Sequence, residues 1–294
     1  MLETGYAVFA EVARTGSIRQ AADRLGMSPS SVSRQVTRME RELGVPLVSR
    51  SAHGVKLTPA GDILAGFVES RSREVARLRA AIAELARLEQ GHVSLVTVEG
   101  MLGGLLPDAL AAFSRSHPGI TYDVVIAGAD DVMAAVARDR CDLGIAFEPQ
   151  PRADVEVLAS LPAPVLAVVA ADHPLAGRER LALADLAPHP VGLPDRTFGI
   201  RNIVNRAMEA HKVQLRVRLE TNSIDMVRRF ALHGMGVSFL PLFAFAQEAA
   251  AGALVGVPLR EREFGDAAAQ IVKNAAFALT AAARAFLGVL TERA

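Results

Sequence analysis

The sequence is short of cysteine, of net charge and of unbroken apolar runs, and each shortage excludes a class of protein. Cys141 is the only cysteine in 294 residues, which excludes an internal disulfide and a cysteine-based metal cluster and indicates a reducing compartment. Basic and acidic residues balance at 32 each, which argues against a broadly basic nucleic-acid coat. The longest apolar stretches, near residues 157–171 and 230–246, are interrupted by proline and histidine. They therefore predict buried strands and helices, not membrane spans.

Signals for export and for catalysis are also missing. The N-terminus lacks the basic start and apolar run of a signal peptide, so we expect a cytoplasmic protein. No phosphate-binding loop, dinucleotide fingerprint or Gly-x-Ser-x-Gly motif is present, and the seven histidines show no metal-ligand spacing. We expect no enzyme activity, no cofactor and no metal. A length of 294 residues, half of them hydrophobic, predicts two or three domains with full-sized cores.

Residues 17–41 have the pattern of two short helices joined by a tight turn. Ser17 is a good N-cap for the first helix, and Gly26 stands where a left-handed C-cap residue belongs. Ser28 can cap the second helix, with Pro29 at its first position, where a missing N–H costs nothing. The spacing predicts a helix-turn-helix.

The second of these helices has one apolar and one polar face. Val32, Val36 and Met39 are spaced to pack on the first helix. A polar face rich in serine, arginine and threonine, with almost no acid near its N-terminus, suits the major groove of DNA. The residues on that face are Ser30, Ser33, Arg34, Thr37 and Arg38.

Residues 46–58 are predicted to form a short hairpin, with strands at 46–48 and 55–58 and a turn at 52–54. Residues 1–60 hold eight basic against five acidic side chains, a local excess that fits a small DNA-binding module. Arg50, His53 and Lys56 would let the hairpin act as a wing on the phosphate backbone or minor groove. A solvent-exposed hairpin with scattered charges is the alternative.

A long helix is predicted from Thr58 and Pro59 to about Glu89. Its apolar residues follow an alternating three–four spacing that Arg71 interrupts, which is typical of a coiled-coil seam and implies a partner helix. The alternative is an amphipathic helix packed on its own domain. The predicted seam consists of Leu64, Val68, Val75, Leu78, Ile82 and Leu85.

The remaining chain alternates strands and helices, which predicts a doubly wound α/β fold with mostly parallel strands in two lobes. We expect the chain to cross between the lobes near Leu161–Pro162 and near Asp266. The predicted strands are 93–98, 121–126, 143–147, 165–170, 217–220, 237–240 and 269–273, and the predicted helices are 102–115, 131–139, 200–210, 224–232 and a last one ending at Leu290.

Ligands of open α/β sheets bind beyond the carboxyl ends of strands, against helix N-termini. This rule selects loops in both lobes that could bind a small molecule in the cleft between them. Asp130, Thr197 and Ser223 are equally good helix caps, which is the alternative for each residue singly. The candidate effector-binding residues are Glu99, Gly100, Met101, Gly128, Ala129, Asp130, Arg196, Thr197, Phe198, Gly199, Arg201, Asn222 and Ser223.

The charge of the ligand stays open. Glu99 could repel carboxylate effectors or pair with a ligand amine. Arg196 or Arg201 could equally neutralise Glu99 or bind an acid group directly.

The N-terminal sequence resembles that of LysR-type transcriptional regulators. Agreement extends over about 45 residues without a gap, which makes it far more specific than a helix-turn-helix alone. Val48 departs from a common phenylalanine, and His53 from a common arginine. The matching residues are Ala21-Ala22, Leu25, Ser28, Val32-Ser33-Arg34-Gln35, Glu40, Leu43 to Leu47, Arg50 and Val55 to Gly61.

The later sequence is similar to the effector domain of the same family, which is built like a type 2 periplasmic binding protein. The residues that carry this similarity are Leu106-Pro107, Phe113, Pro118, Cys141 to Ile145, His173 to Ala176 and Gly234 to Pro241.

The resemblance implies a winged helix-turn-helix DNA-binding domain at 1–58, a linker and dimerisation helix at 59–90, and an effector-binding domain at 91–294. Lobe I would comprise 92–162 and 267–294, and lobe II 163–266. The implied DNA-binding residues are Ser17, Ser28, Pro29, Ser30, Ser33, Arg34, Gln35, Thr37, Arg38, Arg50, His53 and Lys56.

The resemblance also implies the partners. They are double-stranded promoter DNA, a small-molecule effector, and further copies of the chain paired through antiparallel linker helices into a homodimer and homotetramer; RNA polymerase is a further candidate. A solute-binding protein, an enzyme built on the α/β lobes and a constitutive repressor are the rival functions. The DNA-type N-terminus argues against the first, and the missing nucleophile and cofactor motifs argue against the second.

Overall fold

The computed structural model describes residues 2–51, 54–84 and 90–293, and the chain divides into two units between Arg79 and Ala80. The N-terminal unit combines helices with a two-stranded sheet, and the C-terminal unit contains two five-stranded sheets. Each unit has its own cluster of buried apolar side chains. In the part of the chain that is described, no helix has both the length and the apolarity needed to cross a bilayer.

The N-terminal unit begins with a helix-turn-helix. Its elements in chain order are α1 (Leu2–Thr15), α2 (Ile18–Leu25), α3 (Pro29–Leu43), β1 (Val48–Ser51), β2 (Gly54–Leu57) and α4 (Pro59–Glu84), the last of which runs past the division between the units.

The turn between α2 and α3 is fixed by the capping residues that the sequence predicts. The Ser17 hydroxyl accepts a hydrogen bond from the Gln20 N–H at 3.4 Å, and Gly26 ends α2 in the left-handed region with φ of 61°. The Ser28 hydroxyl accepts from the Ser31 N–H at 3.2 Å. Because the terminal N–H groups of a helix have no intrahelical partner, these caps define where each helix starts. The predicted helix-turn-helix is confirmed.

The wing hairpin is shifted from its predicted position. Val48 pairs with Leu57 and Ser51 with Gly54, so β1 starts at Val48, whereas the prediction placed the first strand at 46–48 and Gly54 in the turn. The physical reason is a carboxylate on α3. Glu40 Oε1 accepts hydrogen bonds from the N–H groups of Leu47 and Val48 at 2.9 and 3.2 Å, which fixes the entry to the hairpin on α3.

The apolar face of α4 differs in part from the predicted seam. Leu64 packs against the core of the N-terminal unit and Val68 is buried, so these two do not face solvent. The most exposed apolar side chains of the described helix are Ile63, Phe67, Val75 and Leu78, at 77, 49, 48 and 61% of their area. The seam prediction for Leu64 and Val68 is therefore wrong. The Ile82 side chain and residues 85–89 lie outside the described residues.

Lobe I of the C-terminal unit is built on a sheet of order β4-β3-β5-β12-β6, covered by α5 (Leu105–Ser116), α6 (Ala129–Ala137) and α11 (Ala281–Glu292). The central strand β5 is buried along its whole length, as its unbroken apolar sequence predicts. The strands are β3 (Gly91–Thr97), β4 (Ile120–Ile126), β5 (Leu143–Phe147), β6 (Val155–Pro162) and β12 (Ala268–Asn274).

Lobe II has a sheet of order β11-β7-β10-β8-β9, with α7 (Gly199–His211) and α8 (Ile224–Leu232) as its longest helices. The buried Ser238 hydroxyl of β10 donates to the Val227 carbonyl at 2.7 Å, which fastens α8 to the sheet. The strands are β7 (Val165–Ala170), β8 (Pro190–Pro194), β9 (Arg216–Thr221), β10 (Val237–Pro241) and β11 (Leu254–Pro258), and two short helices, α9 (Ala246–Ala250) and α10 (Arg262–Gly265), complete the lobe.

The sheet of each lobe has four strands in one direction and one strand against them, so the expectation of mostly parallel strands is confirmed for strand direction, although each sheet is mixed. In lobe I, β3 is parallel to β4 and β5, whereas β12 is antiparallel to β5 and β6. In lobe II, β8 is parallel to β9 and β10, whereas β7 is antiparallel to β10 and β11. The antiparallel strands β7 and β12 are those that follow the crossings between lobes, so each enters its sheet in the reverse direction.

The two crossings lie side by side. The first lies between β6 and β7 and the second between α10 and β12. The Ala163 N–H of the first donates to the Ala267 carbonyl of the second at 2.8 Å. Both connections between the lobes therefore pass through one place, outside the two sheets' central strands.

Sequence reasoning missed β6, β8 and β11. Glu156 and Ser160 interrupt the apolar residues of β6, and glycine and proline interrupt those of β8 and β11, so none carries a long apolar run. The predicted start of α5 at residue 102 is too early, because residues 99–103 form a separate short helix after β3. The predicted start of α6 at residue 131 is too late, because Gly128, not Asp130, is the N-cap of that helix.

We expect Glu40→Ala to destabilise the N-terminal unit by about 2 kcal/mol, because it leaves two part-buried N–H groups without an acceptor. Glu42→Ala is the matched control, because among the described residues Glu42 makes a surface ion pair with Arg38 at 2.8 Å, whose loss costs less than about 0.5 kcal/mol. Denaturant unfolding of the two variants measures the difference. Equal stabilities would show that Glu40 does not anchor the wing.

Candidate functional site

The exposed face of α3 presents hydroxyl and guanidinium groups. Ser30, Arg34 and Thr37 are exposed, and Ser33 is half-buried beside them. They remain exposed because Val32, Val36 and Met39 occupy the opposite face and pack against the core. The arrangement gives side chains able to donate and accept hydrogen bonds along one side of a 15-residue helix.

The other predicted residues of α2 and α3 lie around this face. Ser28 and Pro29 are exposed at its N-terminal end, and the Ser28 hydroxyl also lies 3.1 Å from the Ser30 hydroxyl. Arg38 is exposed and its Nε donates to Glu42 at 2.8 Å. Gln35 is half-buried at the edge toward Gly5 of α1. Gln35 and Ser33, both half-buried, are therefore less open to a ligand than the exposed residues of α3.

Two predicted DNA-binding residues, Arg50 and Lys56, lie on the paired strands β1 and β2, which we call the wing. Lys56 is exposed on β2. Arg50 belongs to β1, but its side chain and the whole of His53 lie outside the described residues. The wing is held to the helix-turn-helix by the Val55 N–H, which donates to the Gly16 carbonyl at 2.8 Å.

In the C-terminal unit, the predicted loops meet at the cleft between the lobes. A cavity of about 30 Å³ is lined by Gly100 and Ala129 from lobe I and by Phe198, Gly199 and Ile224 from lobe II. These residues stand at the starts of four helical segments, which brings several helix N-termini to one place. A cavity of this size holds one or two water molecules.

The lining of the cleft is mostly apolar, which the sequence did not predict. Phe147 at the end of β5 meets Phe243 of lobe II edge-to-face, with ring centroids 6.2 Å apart. The lobes approach so closely that a Cβ on Gly103 would lie 2.5 Å from the Phe243 carbonyl oxygen. The sequence could have suggested Phe147 from its place at the end of a buried strand. The lining residues missed were Val98, Phe147, Ile200, Ile224, Pro241, Phe243 and Ala244.

The predicted arginines are not equivalent. Arg201 is buried, and its Nη1 lies 2.6 Å from Glu220 Oε2 and 3.1 Å from the Pro194 carbonyl, so it ties α7 to β9 and β8 within lobe II. Arg196 is exposed. Thr197, also exposed, donates its N–H and hydroxyl to Asp195, and this hydrogen bonding lowers the pKa of Asp195 below its usual value.

The remaining candidates are spread around the cleft. Met101 is fully buried in the lobe core and points to a different cavity. Gly128 caps α6, while Asp130 and Asn222 are exposed. Of the three predicted caps, only Ser223 is an N-cap, because Gly128 and Phe198 take that position on the other two helices.

Glu99 makes the most extensive polar contact across the cleft among the described side chains. It lies in lobe I, immediately after β3 and Val98, and its carboxylate reaches the first turn of α8 in lobe II. Oε1 accepts from the Ser223 hydroxyl at 3.0 Å and from the Asp225 N–H at 3.1 Å, and Oε2 accepts from the Ile224 N–H at 2.7 Å. The Ser223 hydroxyl also accepts from the Met226 N–H at 3.2 Å.

A polar cavity of about 240 Å³ adjoins this contact. Glu99, Asp225 and Arg228 contribute its charged side chains. Hydrogen bonds from Arg229, and further ones from Arg228, hold the pKa of Asp225 below its usual value, so this carboxyl is ionised at neutral pH. Arg228 also pairs with Glu248 at 3.0 Å.

A third cavity, of about 420 Å³, lies beside the crossings. Its walls include Met101, Leu105, Pro162 and Phe243, with Asp108 and Arg293 as its charged residues. Within the described residues no group of three or more metal-ligating side chains of the His, Cys, Asp and Glu types is found.

Two protein families match this chain, one in its N-terminal part and one in its C-terminal part. Residues 5–62 match the family described as "bacterial regulatory helix-turn-helix protein, lysR family". Residues 86–294 match the family described as "LysR substrate binding domain". The transcriptional regulator CbbR of Xanthobacter flavus is 30% identical over 82% of this chain and 73% of its own length.

Solved structures share the fold over the full chain. A full-length OxyR variant from Pseudomonas aeruginosa gives a TM-score of 0.73 with 21% identity, covering 100% of this chain and 94% of that one. Full-length CbnR complexed with its target DNA gives a TM-score of 0.72 with 18% identity and 100% of both chains covered. The relatives found are transcriptional regulators, not enzymes. This chain belongs to the LysR family of bacterial transcriptional regulators, with a DNA-binding helix-turn-helix domain followed by a substrate-binding domain.

Proposed function

We propose that the exposed face of α3 reads promoter DNA and that a small molecule bound between the lobes controls this activity. The observation that carries the first half is the placement of Ser30, Arg34 and Thr37 on one exposed side of a capped helix. Arginine pairs with guanine edges in the major groove, and serine and threonine bind either bases or phosphates. Ser17, Ser28, Pro29, Ser33, Gln35 and Arg38 extend the proposed interface around this face.

The proposed wing contact is electrostatic. Lys56 is exposed on a hairpin that hydrogen bonds fix to the helix-turn-helix, so its position relative to α3 is defined. Lysine and arginine on such a hairpin neutralise phosphates and strengthen binding without reading sequence. Arg50 and His53 are proposed to act with Lys56.

The proposed oligomer forms through α4. Ile63, Phe67, Val75 and Leu78 leave an apolar strip exposed on this helix, and a second copy of the chain would cover it. An antiparallel pair of such helices gives a homodimer, and further contacts give a homotetramer, which carries several recognition helices to one promoter. We also propose a cytoplasmic location and a contact with RNA polymerase when the regulator acts.

The proposed effector binds where the helix N-termini meet. The cavity there is apolar and about 30 Å³, far below the several hundred Å³ of typical ligand sites, so the lobes must separate to admit a metabolite. Rotation about the paired crossings would supply that movement and would couple binding to DNA recognition. The residues proposed to contact the effector are those of the loops at Glu99–Met101, Gly128–Asp130, Arg196–Arg201 and Asn222–Ser223, together with Phe147 and Phe243.

We expect Arg34→Ala to weaken specific DNA binding by about 10- to 100-fold, the cost of losing one bidentate base contact. Gel-shift titration of the full chain with the DNA immediately upstream of its own gene measures the effect. Arg115→Ala, which removes one exposed guanidinium from the C-terminal unit, is the control and should bind like the wild type. Unchanged binding by Arg34→Ala would show that α3 does not read DNA through this residue.

We expect Leu78→Glu to dissociate the dimer, because it places a charge in the apolar strip that the partner helix would bury. Ser72→Glu adds the same charge at another exposed position of α4 and should leave the mass unchanged. Light scattering during size-exclusion chromatography gives the mass of each variant. An unchanged mass for Leu78→Glu would exclude pairing through this strip.

We expect Ala129→Phe to abolish stabilisation by effectors, because the phenyl ring fills the cavity at the start of α6. A thermal-shift screen of metabolites on the wild type identifies ligands through their mass-action stabilisation. Ala111→Phe, on the exposed side of α5, is the matched control. Ligands that stabilise Ala129→Phe as well as the wild type would bind elsewhere, with the cavity beside the crossings as the other candidate.

A further inference from the structure

The carboxylate of Glu99 joins the lobes through groups that belong to different parts of the chain. Glu99 follows β3 in lobe I, and its hydrogen-bond donors Ser223, Ile224 and Asp225 start α8 in lobe II, about 125 residues later. Both carboxylate oxygens are used, at distances of 2.7 to 3.1 Å. The carboxylate therefore binds across the cleft in a bidentate manner, with both of its oxygens accepting hydrogen bonds.

The surroundings favour a charged acceptor at this point. The first N–H groups of a helix lack intrahelical partners and carry the positive end of the helix dipole. Glu99 is half-buried, which limits screening by water. The other carboxylate on this turn, that of Asp225, is paired with Arg228 and Arg229, so its charge is compensated locally.

The contact also separates two cavities. Gly100, Ile224 and Ala244 line both the apolar cavity of about 30 Å³ and the polar cavity of about 240 Å³, and Glu99 lines the polar one. Neither cavity alone reaches the usual size of a metabolite site. Moving the start of α8 away from Glu99 would widen both cavities together.

We propose that Glu99 is an autoinhibitory contact that holds the two lobes closed while no effector is bound. This inference rests on the proposed effector site between the lobes. An effector enters only when the hydrogen bonds between Glu99 and α8 are broken, so the population of chains with separated lobes limits the apparent affinity. The same carboxylate excludes an anionic ligand group from the first turn of α8 until it is displaced, because both would use the same donors.

Amide hydrogen exchange of the full chain tests the contact directly. In Glu99→Gln, which keeps the shape and removes the charge, the Ile224 and Asp225 amides should exchange about 10-fold faster than in the wild type, and faster still in Glu99→Ala. Glu179→Gln neutralises an exposed carboxylate of lobe II that lines none of the three cavities, and it should leave both amides unchanged.

The separation of the lobes is measured by the distance between spin labels on Arg115→Cys in α5 and Glu209→Cys in α7. Both positions are exposed, whereas the native Cys141 is buried and escapes labelling. Labelled chains are diluted with unlabelled chains so that each assembly contains one pair. The distance distribution should be narrow with Glu99 present and should broaden toward longer distances in Glu99→Gln, but not in Glu179→Gln.

Either of two results would overturn the proposal. Unchanged exchange in Glu99→Gln and Glu99→Ala would show that the carboxylate does not bind α8, and faster exchange with an unchanged label distance would show that it caps the helix without holding the lobes. Both measurements use the chain without DNA or effector. Their outcome is therefore independent of whether the cleft proves to be the effector site, which the Ala129→Phe comparison decides.

Discussion

The hydrogen bonds between Glu99 and the start of α8 are the interaction on which, in our proposal, the closed arrangement of the two lobes depends. The same cleft holds two other close contacts between the lobes, the approach of Gly103 to Phe243 and the edge-to-face pairing of Phe147 with Phe243. The cleft is consequently small and apolar. Charge-assisted hydrogen bonds give such a contact a defined geometry, whereas apolar contact alone would allow the lobes to slide.

The crossings between lobes determine how that contact can change. The two connections are adjacent and are joined by the hydrogen bond from Ala163 to Ala267, so both links between the lobes lie at one place. The strands β5 and β10 are buried along their whole length. Each sheet therefore positions the helix N-termini at its carboxyl edge through a packed core. The rotation that we propose would therefore move the loops at the cleft as units instead of deforming them.

In the N-terminal unit, a small core and one carboxylate position the recognition helix and the wing. Its core positions α3 through Val32, Val36 and Met39, and one carboxylate, that of Glu40, fixes the wing to the same helix. The polar groups that we propose to face DNA are thus presented by a helix whose opposite side is packed in the core. This is the arrangement that reading base edges requires, because hydrogen-bond discrimination depends on fixed geometry.

Local sequence patterns were sufficient to predict the helix-turn-helix, because capping residues at Ser17, Gly26 and Ser28 and the spacing of Val32, Val36 and Met39 act over a few residues. They were also sufficient for the two-lobed α/β fold and the place of the cleft, since strand ends and helix starts are local features. The register of the wing, the mixed sheets, the internal ion pair of Arg201 and the bonding of Glu99 to α8 emerged only from the folded chain. Each of these depends on contacts between residues that are far apart in the chain, and local sequence patterns do not determine such contacts.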